Sequence, residues 1–108
     1  MRRLEVVLRE EAINDLADIY AYIEHVSASP VTALAFIHRI KARCQRIGIA
    51  PMGGVARDDL QPGLRTVPFE HTAVIAYVIE ADQVCITNVF YGRRDYEALY
   101  HAPPDRDG

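Results

Sequence analysis

The feature that most constrains the fold is an apolar stretch from Ala73 to Ile79. It is apolar at both alternating positions, so a strand built from it must be buried on both of its faces. Two neighbouring segments, Leu64 to Phe69 and Val84 to Tyr91, are rich in β-branched and aromatic residues and are separated from it by short polar breaks. The sequence therefore predicts a three-stranded meander with Ala73 to Glu80 in its middle.

Two amphipathic helices are predicted before the meander. Apolar residues recur every three or four positions from Glu10 to Val26, and again after Ser29, which suits the N-cap and is followed by a proline at the first helical position. Gly48 is the predicted end of the second helix. The short break between the helices predicts an antiparallel hairpin whose apolar side lies on the sheet.

A weakly alternating segment, Arg3 to Leu8, is the predicted first strand. The expected fold class is therefore α+β, with a helical hairpin packed on one face of a mainly antiparallel sheet of about four strands. Residues Ile49 to Gly63 show no periodicity, and a connection of that length in a small domain is usually functional or mobile. We expect one domain over residues 1–100 and a disordered polar tail over residues 101–108.

The charge balance argues against a partner made of nucleic acid. The formal net charge is −3, whereas affinity for phosphate backbones comes from an excess of lysine and arginine. Only one of the twelve basic residues is a lysine, Lys41, so a cationic site here must be built from arginine. No apolar run is long enough for a membrane span, and the N-terminal stretch lacks a secretory signal, so we expect a cytoplasmic protein.

No cofactor or metal is predicted. Gly53 and Gly54 are not followed by the residues of a phosphate-binding loop. Cys44 and Cys85 have no cysteine or histidine nearby at a metal-binding spacing, so we expect two reduced thiols in the core.

A set of residues spread in order along the chain carries a family resemblance. It comprises Ala12, Asp15, Leu16, Ile19 and Tyr20, then Ala35, Phe36 and Ile40, then Pro51, Arg57 to Leu60, Pro62 to Arg65, Pro68, Phe69, His71, Ile75, Tyr77 and Gly92 to Asp95. Over Val6 to about Leu99, this set resembles the ParE branch of the RelE/ParE toxin superfamily.

The resemblance implies a toxin of a type II toxin–antitoxin pair. Such a toxin forms a hetero-oligomer with a small ParD-like antitoxin, whose C-terminal helix or extended segment lies against the toxin surface. The ParE branch is associated with poisoning DNA gyrase, whereas the sister RelE branch consists of ribosome-dependent mRNA endonucleases.

The residues favour binding over RNA cleavage. Ribonuclease chemistry needs a group to activate the 2′-hydroxyl, a proton donor and cations around the phosphate. The sister branch takes cations from positions that fall here near Arg65, Val67 and Val74, and the predicted sheet contains no lysine. Arg93 or Arg94 and Tyr100 do stand where that branch has its terminal arginine and tyrosine. Valine cannot donate a hydrogen bond to a phosphate. We therefore expect a protein that inhibits gyrase by binding and that is not an enzyme. A ribonuclease, or a non-toxic homologue that only binds its antitoxin, are the alternatives.

The candidate residues for contacting the antitoxin or the target are four arginines and three tyrosines. They are Arg57, Arg65, Tyr91, Arg93, Arg94, Tyr96 and Tyr100. One hypothesis is that the meander gathers the arginines on one side as a basic patch that an acidic segment covers. The alternative is structural ion pairing, of Arg65 with Asp58 or Asp59 and of Arg94 with Asp95 or Glu97.

Tyr20 and Tyr77 are predicted core residues, and His71 is predicted to be structural. For the three candidate tyrosines, packing and partner contact both stay open. We further expect the open face of the sheet and the outer face of the hairpin to expose apolar surface. An antitoxin would cover it with a helix in a groove or with an added strand.

Overall fold

In the computed structural model, residues 3–92 and 95–101 are described, and they form a mixed sheet with two long helices on one face. The elements, in chain order, are β1 (Glu5–Leu8), α1 (Glu10–Ser27), α2 (Pro30–Ile47), β2 (Val55–Ala56), β3 (Arg65–Phe69), β4 (Ala73–Glu80), β5 (Gln83–Tyr91) and α3 (Glu97–Tyr100). Arg93, Arg94 and the predicted disordered tail beyond His101 lie outside the described residues.

The sheet has five strands in the order β1-β5-β4-β3-β2, with β1 parallel to β5 and the other pairs antiparallel. The predicted α+β class is confirmed, but the sheet has one strand more than expected. The added strand is β2, which lies inside the connection that was predicted to be irregular. Its two residues, Val55 and Ala56, pair with Thr66 and Arg65 of β3. Two residues carry no periodicity, so no sequence pattern could indicate this strand.

The middle strand is buried on both faces, as predicted. Ile75 and Tyr77 belong to the core beneath the helices, whereas Ala76 and Val78 belong to a second, smaller cluster on the opposite face. Tyr77 is fully buried, and Tyr20 is half-buried against the core beneath the helices.

The face of the sheet away from the helices is not open, which corrects one expectation. Leu60 and Leu64 from the connection before β3 pack against it, and Tyr96 and Tyr100 from the C-terminal segment cover it further. The sequence offered no signal for this cover, because the apolar residues that form it lie in irregular segments.

The helix boundaries follow from local chemistry. Ser29 caps α2 by accepting a hydrogen bond from the Thr32 N–H at 3.1 Å, which confirms the predicted start. α1 has no side-chain cap at Arg9 and ends at Ala28, which has a left-handed φ of 57° and donates its N–H to the Glu24 carbonyl at 2.8 Å.

Gly48 ends α2 as predicted, but for a different reason. Its φ is −62°, which any residue can adopt. A Cβ atom at this position would instead lie 2.3 Å from the Leu4 carbonyl oxygen and 2.9 Å from Val6 Cγ2. Glycine is therefore required because the chain entering β1 approaches the end of α2 closely.

Both cysteines are free and buried, as predicted. Cys44 lies beneath the helices and Cys85 in the cluster on the other face, so the sheet separates the two thiols. Burial raises the pKa of Cys44 to about 11, which keeps the thiol protonated at neutral pH.

Candidate partner-binding surfaces

Arg57 is engaged within the protein. Its guanidinium donates to both carboxylate oxygens of Asp59 at 3.0 and 2.9 Å, forms an ion pair with Glu97 at 2.8 Å, and lies 3.5 Å from the Tyr96 hydroxyl. Hydrogen bonding to Asp59 and then to Glu97 raises the pKa of Arg57, and the bond from Arg57 lowers the pKa of Asp59. Arg57 therefore joins the loop before β3 to the C-terminal segment.

Arg65 holds a different loop. Its Nη1 donates to the carbonyls of Met52 at 3.1 Å and Gly54 at 2.7 Å. It pairs with neither Asp58 nor Asp59. Asp58 accepts instead from the Gly63 N–H, and Asp59 binds Arg57.

Tyr77 completes the support of the same loop. Its hydroxyl donates to the Pro51 carbonyl at 2.7 Å and accepts from the Gly54 N–H at 3.0 Å. A Cβ atom on Gly54 would lie 2.5 Å from this hydroxyl, so only glycine allows the contact. Arg65 and Tyr77 are register partners on β3 and β4, and together they fix the loop from Pro51 to Gly54.

Arg57 and Arg65 do not share one basic patch. Arg65 lies on the helix side with its partner Tyr77, whereas Arg57 contacts Tyr96, which packs on the opposite face. Side chains alternate between the two faces of a strand, and only the last part of the connection, around Leu60, packs on the face away from the helices. The contributions of Arg93 and Arg94, including the pairing of Arg94 with Asp95 or Glu97, fall outside the described residues.

Tyr96 and Tyr100 pack on the second face of the sheet. The Tyr96 ring stacks on Phe90 with centroids 4.9 Å apart, and the Tyr100 ring meets the Phe90 edge at 6.3 Å. Burial raises the pKa of Tyr100. Both tyrosines therefore have a packing role, and both remain partly accessible.

Tyr91 lies on the helix side, where it separates two cavities. Its ring makes edge contacts with Phe36 at 5.5 Å and Tyr22 at 5.8 Å. A cavity of about 410 Å³ lies between α1 and the end of β5. A second, of about 510 Å³, lies between α2 and the turn from β3 to β4.

We name the two cavities together the Tyr91 groove. Its lining residues are Asp15, Asp18, Ile19, Tyr22, Ile23, Val31, Thr32, Ala35, Phe36, Arg39, Glu70, Thr72, Val89, Tyr91 and Gly92. Three large apolar residues at this end of the hairpin are strongly exposed: Tyr22 at 56%, Val26 at 64% and Val31 at 78%. Sequence analysis identified Tyr91 but not this groove, because its walls come from four separate elements.

Asp15 fixes the edge of the sheet beside the groove. β1 ends with Leu8 opposite Ile86, and beyond that point the Asp15 carboxylate accepts the Val89 N–H at 2.9 Å and the Asn88 side-chain amide at 3.2 Å. Asp15 was one of the residues of the family resemblance, but its role as an anchor was not predicted. The one available signal is a carboxylate bordering the apolar stripe of α1.

Two kinds of site are absent from the described part of the chain. Residues 3–92 and 95–101 contain no group of three or more histidine, cysteine, aspartate or glutamate side chains that could hold a metal ion. Within the same residues, no helix combines the length and the apolar character needed to cross a bilayer.

Comparisons with known proteins agree with this architecture. A family model described as the ParE toxin of the type II toxin–antitoxin system parDE matches residues 6–96. A solved structure titled "Chromosomal ParDE TA system from P. aeruginosa" superposes with a TM-score of 0.72 at 19% identity, covering 84% of this chain and 98% of that chain. At this identity the likeness shows a shared fold. No curated protein matches the chain.

Proposed function

This chain belongs to the ParE toxin family of type II toxin–antitoxin systems, and on that premise we propose that it inhibits DNA gyrase by binding and is neutralised by a ParD-like antitoxin. The observation that supports an antitoxin partner is the Tyr91 groove. Single exposed apolar residues are ordinary on a protein surface. A groove with Tyr22, Val26 and Val31 exposed around it is typical of a surface that another chain covers.

Of the two docking modes predicted for the antitoxin, the groove favours a helix over an added strand. Next to the groove, the Val89 N–H of β5 is already bonded to Asp15. On β3, Pro68 has no N–H to donate to an added strand. An amphipathic helix needs no such donors, since it binds through its apolar side chains.

The contacts of Arg57 and Arg65 within the chain support binding over catalysis. Val74 and Tyr100 pack in the same cluster on the second face. A ribonuclease of the sister branch would need a cation at the position of Val74, beside the tyrosine that corresponds to Tyr100. Arg57 reaches that region, but Asp59 and Glu97 already bind its guanidinium. Arg65 lies on the other side of the sheet and holds the Pro51–Gly54 loop.

Family membership is what supports gyrase as the target. The test is to express the chain with and without its antitoxin, and to assay the purified toxin for gyrase supercoiling and for cleavage of ribosome-bound mRNA by primer extension. We expect growth arrest without antitoxin, loss of supercoiling and no mRNA cleavage. Catalytic mRNA cleavage with normal supercoiling would contradict this proposal and support the ribonuclease hypothesis. Harmless expression with intact antitoxin binding would contradict it in favour of a non-toxic homologue.

The groove makes its own prediction through Val31→Asp. Val31 is the second residue of α2, where an aspartate suits the positive end of the helix, so the variant should fold normally. A charge in an apolar groove should weaken antitoxin binding by about tenfold or more, measured by calorimetry. Val55→Asp is the matched control, because Val55 is also exposed but lies on the edge strand β2. Equal affinities of the two variants would remove the groove from the antitoxin interface.

A further inference from the structure

The two long helices carry opposite and unmixed charge. α1 contains five carboxylates and no lysine or arginine, whereas α2 contains Arg39, Lys41, Arg43 and Arg46 and no carboxylate. A helix that merely faces water usually mixes the signs, because opposite charges four residues apart stabilise it and like charges destabilise it. The segregation therefore forgoes the stabilisation that pairs of opposite charge within one helix would give.

The charges are not used between the helices either. In residues 3–92 and 95–101, no ion pair joins α1 to α2, and Glu70 is the one carboxylate that pairs with a cation of α2. That carboxylate belongs to the turn between β3 and β4. Within the part of the chain that the structure describes, the four cations of α2 thus have one carboxylate partner.

Three of the four cations form one row. Arg39, Arg43 and Arg46 are spaced by four and then three residues, so they lie on the same flank of α2. We name them the α2 arginine stripe. Lys41 lies on the other flank, since two residues rotate a helix by about 200°. At one end of the stripe Arg39 contacts Glu70.

The other end of the stripe approaches the Pro51–Gly54 loop. Arg46 lies in the last turn of α2, shortly before Pro51 in the chain. Arg65 and Tyr77 hold the loop that begins there. The stripe thus runs from the turn between β3 and β4, where Glu70 lies, to the end of α2 before this loop.

The pair of Arg39 and Glu70 is the one ion pair that the stripe makes among the described residues. Arg39 Nε and Nη2 donate to the two oxygens of Glu70 at 2.8 and 3.0 Å, the two-bond geometry that arginine makes with a carboxylate. Arg43 and Arg46 follow one and two turns further along, with no carboxylate in ion-pair contact among the described residues.

We propose that the α2 arginine stripe binds an acidic segment of the antitoxin. The carboxylates of this segment form ion pairs with Arg43 and Arg46, as Glu70 does with Arg39. The proposal rests on the proposed function for the identity of the partner. Its physical basis is charge complementarity between carboxylates and the guanidinium groups of Arg43 and Arg46, which have no ion-pair partner among the described residues.

Two other occupants fit less well. The stripe is only about 10 Å long, and the carboxylates of α1 and the net charge of −3 repel a phosphate backbone. A second copy of the chain could offer the acids of α1, but Asp15 among them is already bonded to Val89 and Asn88. Such a contact would also be heterologous and need not close into a defined oligomer.

The test compares Arg46→Glu with Lys41→Glu. Both residues are exposed on α2 and both variants change the charge equally, but only Arg46 belongs to the stripe. Antitoxin affinity is measured by calorimetry at low and at high NaCl. We expect Arg46→Glu to weaken binding by about tenfold at low salt and Lys41→Glu by less than about twofold, with the gap narrowing at high salt.

A second pair of variants guards against a folding artefact. A glutamate in the last turn of α2 opposes the helix dipole, so Arg46→Ala and Lys41→Ala repeat the comparison without a reversed charge. Circular dichroism melting should give closely similar Tm values for the two alanine variants. A weaker antitoxin affinity of Arg46→Ala than of Lys41→Ala would support the stripe.

Several results would overturn the assignment. Equal affinities of the stripe and control variants would exclude an acidic antitoxin segment at the stripe. Retention of a short DNA duplex that Arg46→Glu abolishes, with antitoxin binding unchanged, would assign the stripe to nucleic acid. A low-salt oligomer of the chain alone that Arg46→Glu dissociates would assign it to a second copy. If the unaltered chain bound no antitoxin at all, the proposed function itself would fail.

Discussion

The two faces of the sheet are covered by different kinds of structure. On the helix side, two helices of 18 residues bury side chains such as Ile19 and Ile40 against the sheet. On the other side, the cover consists of a loop and a four-residue helix, attached through Arg57 to Asp59 and Glu97. The helix side therefore holds the fold together, and the second face depends on a few contacts that can open locally.

The comparison extends to how each side treats its charges. On the second face, the guanidinium of Arg57 binds two carboxylates of the same chain. On the helix side, Arg43 and Arg46 of α2 have no such partner in residues 3–92 and 95–101, and the Tyr91 groove leaves apolar residues exposed. The rigid side of the molecule is thus also the side on which we propose that partners dock, as expected when an interface must be pre-organised.

The largest predicted effect is at Gly48 on the helix side. In Gly48→Ala the new Cβ would meet the Leu4 carbonyl, a backbone atom that cannot rotate away. We expect the free energy of unfolding to fall by about 3 kcal/mol, measured by urea denaturation. Gly53→Ala is the control, since its nearest neighbour lies at 3.1 Å. A loss no larger than that of the control would show that α2 does not fix β1 in this way.

A smaller effect is expected from Tyr77→Phe, which removes the hydroxyl that binds Pro51 and Gly54. Losing these two hydrogen bonds should cost about 1–2 kcal/mol of unfolding free energy and speed amide exchange at Gly54. Tyr20→Phe is the control, because the Tyr20 hydroxyl makes no hydrogen bond within the described residues. If Gly54 exchanged no faster in Tyr77→Phe, the loop would be fixed mainly by Arg65.

The smallest global effect, and the most localised one, is expected from Arg57→Gln. The variant removes the ion pair with Glu97 that attaches the C-terminal segment, together with the Arg57–Asp59 pair that orients the guanidinium, so amide exchange at Ala98 and Leu99 should accelerate by about tenfold. Amide exchange in β4 should stay unchanged, because β4 pairs with β3 and β5 and packs against the core beneath the helices. A uniform acceleration over the whole chain would show that the two faces unfold together, and that the second face does not open locally.

Much of the fold could be predicted because each element has a local signal. The two-sided apolar pattern of Ala73–Glu80 gave the central strand, and Ser29 followed by proline gave the start of α2. The tight turns between strands gave no such signal. Glu70 and His71 in one turn, and Ala81 and Asp82 in the other, have positive φ values of 50° to 61° without glycine or asparagine. The strand pairing imposes these turns against local preference.

The candidate site was less predictable than the fold. Arg57, Arg65 and Tyr91 were predicted to contact the antitoxin or the target, and that stays a prediction. The structure shows their contacts within the chain and places Arg57 and Arg65 on opposite sides of the sheet. Which face each side chain occupies depends on strand register, and a shift of one residue exchanges the faces. Asp15 and Glu70 were not among the candidates, because their partners Val89 and Arg39 are 74 and 31 positions away in the chain.

The sequence by itself determined the two long helices and the three strands of the meander, since each rests on residue types at short spacings, and an ordered set of residues along the chain determined the family. The tertiary structure alone decided that Arg57 and Arg65 act on opposite sides of the sheet. It also decided that Tyr91 lines both cavities of the groove, and that Arg43 and Arg46 of α2 have no ion-pair partner among the described residues. These outcomes depend on contacts between distant segments, whose energies arise only after the sheet has brought the segments together.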